Sequence, residues 1–256
     1  MQDTTQPYDG LAGIYDFVMR HVEYGHWAEY LDALLERYEC TPASIIDIAC
    51  GTGSLSLALH ALNRPVVQGV DRSKPMLRLA RERTLRNGCD IQFTARDMRD
   101  LHGLGPFDAA VCIYDSINYM LQPVDLEAAL RAVHDILIPG GWFVFDVCTE
   151  TNSLRYFNDV RDRESGPGFR YHRHSRYIQS ERFQINDFVI RFDDGAIEVH
   201  EHHVQRIYRL ADIQKAIERT GFQLLGTFDE FTFSPGTEAS ERVHFALQRP
   251  RTSLER

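Results

Sequence analysis

Apolar positions along this chain come in short blocks that alternate between two periods. Ile45, Ile46 and Ile48 form a β-branched run, the pattern of a strand covered on both faces. The run ends in a glycine turn, Ala49-Cys50-Gly51-Thr52-Gly53, and Ser54–Leu59 opens a helix whose free N–H groups face the strand's end. Further strands are predicted over Pro65–Asp71, Asp90–Met98, Phe107–Ile113 and Trp142–Cys148. Between them, a helix over 74–87 presents Met76, Leu77, Ala80 and Thr84 to the sheet, capped by Ser73 with Pro75 in its first turn. Leu126, Ala129, Leu130, Val133, Ile136 and Leu137 make a second stripe, stopped by Pro139-Gly140-Gly141. A strand-helix unit repeated five times implies parallel strands with right-handed crossovers.

The ends of the chain depart from that rhythm. Residues 8–38 read as helical, with Trp27, Tyr30, Leu31, Leu34, Leu35 and Tyr38 on one face. From about 168 to 208 the pattern is strands without helices. Arg170–Gln179, Phe183–Phe192 and Ala196–Tyr208 are expected to pair antiparallel, with Asp193-Asp194-Gly195 as a hairpin turn. A helix over Leu210, Ile213, Ala216 and Ile217 ends at Thr220-Gly221, and Phe222–Glu230 with Arg242–Gln248 should form an antiparallel sheet edge. The expected fold is α/β: a doubly wound, seven-stranded, mostly parallel sheet with a small antiparallel β insertion. The expected division is 1–149 for lid helices and ligand-binding core, 150–208 for a cap over the substrate, and 209–256 for the rest of the core.

The polar residues at the strand ends carry the chemistry. Asp47, Asp71 and Asp97 each terminate a successive strand, on what should be one edge of one sheet. In open α/β sheets that edge is the ligand crevice. Asp47 can accept hydrogen bonds from an amino-bearing ligand. Asp71 stands about 20 residues past the glycine turn, where a carboxylate can hold two ribose hydroxyls. A dinucleotide fingerprint needs a third glycine where this chain has Ser56, which disfavours an NAD-dependent oxidoreductase. The fourth strand runs into Tyr114-Asp115-Ser116-Ile117-Asn118-Tyr119. Asp115 and Asn118 can orient a nucleophile, and Tyr114 and Tyr119 can supply rings beside a cationic methyl group.

The segment Asp47-Ile48-Ala49-Cys50-Gly51-Thr52-Gly53 resembles the first motif of the class I S-adenosylmethionine (SAM) methyltransferases. The resemblance runs from about Tyr8 to Gln248 and is nearest to a bacterial branch with an N-terminal Tyr-Asp segment and an antiparallel insertion after the fifth strand. It implies a Rossmann-like methyltransferase fold and an enzyme that converts SAM to S-adenosylhomocysteine. It places Asp47 near the methionyl amine, Ala49, Gly51 and Gly53 under the ligand, Asp71 and Arg72 at the ribose, Asp97 and Met98 at the adenine, and Tyr114 at the reactive end. Tyr15 becomes a lid residue, as in N-methyltransferases of amino sugars and glycine. The expected reaction is direct in-line transfer to nitrogen or oxygen of a small molecule, in which alignment supplies most of the advantage and no covalent intermediate is needed. An RNA or protein methyltransferase and a non-catalytic SAM-binding module are the alternatives.

Charge and the remaining residues narrow this further. With 28 Lys and Arg against 37 Asp and Glu, the formal charge is −9, which disfavours a nucleic-acid-coating surface. Five scattered cysteines without a CxxC pair read as free thiols. Met1–Gly10 lacks an apolar signal core and no run is long enough to span a bilayer, so a cytoplasmic monomer or homodimer without membrane contact is expected. His172, His174, His200, His202 and His203 fall in the insertion. If their strands were neighbours, up to four imidazoles could converge, but the spacing matches no standard motif and no metal is expected. One of them could serve as a base. Tyr119, together with Arg206 and Tyr208 on the His200/His202 face, is assigned to the substrate pocket.

Overall fold

The computed structural model describes residues 7–62, 66–193 and 198–251. Pro65, the Asp194-Gly195 turn, Ala196 and the first six residues lie outside them. The central sheet takes β1 (Ser44–Ile48), β2 (Val66–Asp71), β3 (Gln92–Ala95), β4 (Phe107–Cys112), β5 (Leu137–Cys148), β10 (Gln223–Asp229) and β11 (Arg242–Gln248). Its order is β10-β11-β5-β4-β1-β2-β3. All pairs are parallel except those of β11, which inserts antiparallel between β5 and β10. Alternation sorts the strand residues between two helical layers. Ile46, Ile48, Phe143 and Phe145 pack with α5 (Pro123–Ile136) and α7 (Leu210–Thr220). Ile45, Trp142 and Val144 pack with α2 (Tyr24–Arg37), α3 (Ser54–Ala61) and α4 (Lys74–Arg86). Both faces are covered, as continuous apolar strands require.

A second sheet stands apart, ordered β6 (Val160–Gly166), β7 (Phe169–Ile178), β8 (Phe183–Phe192), β9 (Val199–Arg206), antiparallel throughout. A short helix, α6 (Glu150–Tyr156), leads into it from β5. Its face carrying Phe169, Tyr171, Phe188 and Ile190 packs against Leu11, Ile14 and Val18.

Four expectations need correction. Residues 8–38 are not helical throughout: α1 (Tyr15–Val18) ends well before α2 begins, because its apolar residues serve the second sheet while those of α2 serve the first. No helix joins β3 to β4; residues 96–106 are a loop with Gly103 and Gly105 at positive φ. Pro139-Gly140-Gly141 does not stop α5, since Leu137 already pairs with Phe107 and the three residues lie inside β5. Finally, β6 is a strand that sequence reading passed over. It is a polar edge strand with no apolar alternation to mark it.

Candidate active site

A cavity of about 1030 Å³ opens at the carboxyl ends of β1, β2 and β4. Its volume is at the upper end of the range for small-molecule sites, and its lining falls into two halves.

The first half is backbone. Ala49 and Gly51 turn through positive φ (57° and 55°), bringing the loop's N–H groups round to the cavity. Gly51 N donates to Asp71 Oδ2 at 2.9 Å, and Ser73 N donates to Asp71 Oδ1 at 2.8 Å. Burial pushes the Asp71 carboxyl up, and these amides draw it back. Asp47 is buried with no cationic partner among the described residues; its Oδ2 accepts from Ser56 Oγ at 2.6 Å. Burial raises its carboxyl to about 7. Ser56 thus does more than exclude a dinucleotide: it holds the acid in place. Asp97 is gripped by the Arg99 guanidinium, which also reaches Asp125 at 2.8 Å, and the hydrogen bond from Arg99 holds Asp97 low. Arg72, Met98 and Tyr114 line the cavity beside these acids. Gly53 does not; a Cβ there would lie 3.0 Å from Ala80 and 3.1 Å from Phe93, so its role is close packing of the turn on α4.

Side chains make the second half. Tyr114 and Asp115 both sit at positive φ (60° and 50°), held there by the hydrogen bond from Asp115 N to Asp146 Oδ2 at 2.9 Å. Arg242 Nη2 meets Asp115 Oδ1 at 2.8 Å, and its Nη1 meets Asp146. Gln205 Nε2 donates to the other Asp115 oxygen at 2.5 Å. The Asp115 carboxylate lines the cavity and accepts one hydrogen bond on each oxygen, one of them from a guanidinium that favours its ionised form. The arginine lies over the rings of Tyr114 and Trp27, 4.9 and 5.4 Å from their centroids.

Residues 45–141 match the methyltransferase domain family. Over 248 residues the chain is 30% identical to a Bacillus subtilis protein named "Putative methyltransferase YqeM", covering 96% of this chain and 98% of that one. The chain belongs to the SAM-dependent methyltransferases. A crystal structure of such an enzyme from Clostridium acetobutylicum superposes on this methyltransferase with a TM-score of 0.80, at 23% identity over 95% of this chain and 99% of that one, which shows the shared fold. A Streptomyces fradiae dTDP-3-amino-3,6-dideoxy-alpha-D-glucopyranose N,N-dimethyltransferase is 33% identical over 138 residues, covering 53% of this chain and 52% of that one.

Within the methyltransferase, three assigned residues stand elsewhere than expected. Asn118 is fully buried behind the cavity wall, its Nδ2 donating to Arg206 O at 2.7 Å and its Oδ1 accepting from Cys148 N. Arg206 donates to Leu121 O, and Tyr208 Oη donates to Met120 O at 2.5 Å; neither lines the cavity. The reason is register. The inward face of β9 carries Glu201, His203 and Gln205, so Arg206 and its partners in alternation point away. Nor do the histidines converge: β8 lies between β7 and β9, and His174, His200 and His202 pair with Asp159, Glu198 and Asp187. No group of three or more His, Cys, Asp or Glu placed for a metal occurs among the described residues. No helix among them is long and apolar enough to cross a membrane.

The N-terminal segment borders both halves. Tyr8, Leu11, Tyr15, Val18 and Tyr24 line the cavity, with Tyr15 against Gly51. Asp16 fastens it to the glycine turn by accepting from Thr52 Oγ1 at 2.8 Å and pairing with Arg83. Glu201 fastens the other end, accepting from the backbone N–H groups of Tyr8, Gly10 and Leu11 at 2.9, 2.5 and 2.6 Å. Sequence reading missed Tyr8, Glu201, Gln205 and Arg242. One signal was present: Asp146, a lone acid inside the apolar run Trp142–Cys148, demands a buried cation.

Proposed function

We propose that this methyltransferase transfers its methyl group to nitrogen or oxygen of a small molecule, an amine before a hydroxyl. The observation that carries this reading is the recessed cavity, walled on one side by the N-terminal segment (Tyr8, Leu11, Tyr15) and on another by the second sheet (Arg173, Asn186, His203). Of the five arginines that line it, Arg99, Arg173 and Arg242 are paired with aspartates, which weakens its pull on a polyanion. The amine preference draws on the amino-sugar relative.

The first half has the features SAM requires. Asp71 offers one remaining lone pair on each oxygen to a diol, and Gly51 leaves room for close approach. Asp47, buried without a cation, suits an ammonium group. Asp97 and Met98 flank the place for the adenine, and Tyr15, against Gly51, closes over the ligand. The bound cofactor supplies an electrophilic methyl on a sulfonium whose sulfur keeps the bonding pair. The chain's own part is to align the acceptor and exclude water.

The test is calorimetric titration with SAM, then transfer of tritiated methyl to a panel of primary amines and phenols, with transcribed RNA and cell protein alongside. Micromolar SAM binding and label on an amine are expected. Label confined to RNA or protein would overturn the small-molecule reading.

A further inference from the structure

Four side chains form one hydrogen-bonded line from the second sheet to the lid. Glu201 Oε2 meets His203 Nε2 at 2.8 Å. His203 Nδ1 meets Tyr119 Oη at 2.9 Å, and Tyr119 Oη meets Tyr8 Oη at 2.6 Å. Both Glu201 and His203 are about 2% exposed, and Tyr8, Tyr119 and His203 all line the cavity.

Elementary chemistry gives the line a direction. Burial pushes the Glu201 carboxyl up, but the hydrogen bonds from His203 and the lid amides outweigh it and hold it below the ordinary range. An ionised carboxylate only accepts, so the hydrogen facing Glu201 sits on Nε2, and a ring carrying that one proton turns a lone pair toward Tyr119. Tyr119 donates to that nitrogen, and Tyr8 donates to Tyr119. The Tyr8 oxygen keeps lone pairs for a donor in the cavity. Burial raises both phenols well above their ordinary range, so they pass protons rather than rest as phenolates.

We propose that this line carries away the proton that the acceptor loses, and that His203 is where it ends. The inference rests on the nitrogen or oxygen acceptor proposed above. Each N–H or O–H that becomes N–CH3 or O–CH3 releases one proton. That proton passes to Tyr8 Oη as the Tyr8 proton passes to Tyr119 and the Tyr119 proton to His203 Nδ1. Both tyrosines end neutral, and the new imidazolium lies against the Glu201 carboxylate. Asp115 is held by Arg242 and Gln205, and the other paired histidines lie on the outer face. Because Glu201 also binds three lid amides, the line is complete only when the lid is seated.

Two readouts test this on the full chain. The first is the histidine tautomer, from long-range nitrogen–proton spectra of labelled protein saturated with S-adenosylhomocysteine. His203 should carry its proton on Nε2, with a bare Nδ1 whose shift moves in Tyr119→Phe. A proton resident on Nδ1 near neutral pH overturns the proposal, since no lone pair then faces Tyr119. The second is kinetic, with the amine that takes label in the panel as probe. His203→Gln can keep both neighbours but cannot accept a proton, and should lower kcat by about 100-fold or more, with KM and SAM affinity held. Tyr119→Phe should match it, and the double variant should be no worse than either single one. A kcat within about threefold of wild type in His203→Gln overturns the proposal. If only RNA or protein takes the label, the same comparison runs on that acceptor, so the two readings fail separately.

Discussion

The two halves of the cavity are built from different materials. In the half proposed for the cofactor the protein presents backbone: Ala49 and Gly51 at positive φ, with Gly51 N and Ser73 N held by one aspartate. Even the strand beside it leaves no freedom, since a Cβ on Gly69 would lie 2.5 Å from Phe93 and 2.9 Å from Cys50 Sγ. In the half proposed for the acceptor it presents side chains, linked as Ser153–Gln184–Gln205–Asp115 and as Glu201–His203–Tyr119–Tyr8. A backbone site tolerates few residue types at each position and suits a ligand that never changes. A side-chain site on a regular sheet can be altered one residue at a time without moving the chain.

The largest effect should come at the seam between the halves. Arg242 stays charged because two aspartates outweigh the cost of its burial. Arg242→Leu leaves two buried carboxylates with no cation and should cost about 3–5 kcal/mol of stability, measured by urea unfolding near neutral pH. Asp115→Asn leaves a one-to-one pair of Arg242 with Asp146 and should cost far less. Equal losses in the two variants would mean that Asp115 alone holds the arginine and that the pair with Asp146 adds nothing.

Next comes the separation of cofactor binding from acceptor binding. Asp71→Ala should weaken SAM binding by about 1–3 kcal/mol, because it removes charged hydrogen-bond acceptors from both the loop and the ligand. Asn186→Ala alters only the acceptor wall, where its Oδ1 accepts from Ser175 at 2.6 Å, and should leave SAM affinity as it was. Calorimetry on the pair distinguishes them, and weakening in both would show that the halves are one coupled site.

A smaller effect is expected from pH. Burial lifts the Asp47 carboxyl from its ordinary 3.8 to about 7 in the folded chain. The folded state therefore binds a proton the unfolded chain has already lost between those values, and stability falls as pH rises through that window. Asp47→Asn removes the dependence. The melting temperature of the ligand-free variant should change less than that of wild type between about pH 5 and pH 8, and exceed it at the upper end. A wild-type profile parallel to that of the variant would mean Asp47 is ionised throughout.

The same division explains what could be read from residues alone. Asp47, Asp71 and the glycine turn were legible because strand, acid and turn are contiguous, so local pattern determines the site. Ser56 was legible only as a missing glycine; its bond to Asp47 crosses the turn and needs the helix in place. The acceptor half was much less legible. Arg242 reaches Asp146 across 96 positions and Asp115 across 127, and no local pattern carries such a pairing. In β9, polar residues occupy both faces of Val199–Arg206, so nothing apolar announced which face turns inward.

That ambiguity yields the smallest predicted effect and the sharpest test of register. His202 and His203 are adjacent and chemically identical, yet they face opposite sides of the sheet. His202 is 48% exposed in its side chain and pairs with Asp187 at 2.6 Å, where water screens the interaction. His203 is buried between Glu201 and Tyr119. His202→Ala should therefore change stability by less than about 0.5 kcal/mol and leave SAM binding and methyl transfer as in wild type. A loss of transfer in His202→Ala with His203→Ala silent would mean that β9 is read one residue out of register. Every acceptor-side contact from Glu201 to Gln205 would then turn to the outer face, while the cofactor half, whose geometry is backbone, would stand unchanged.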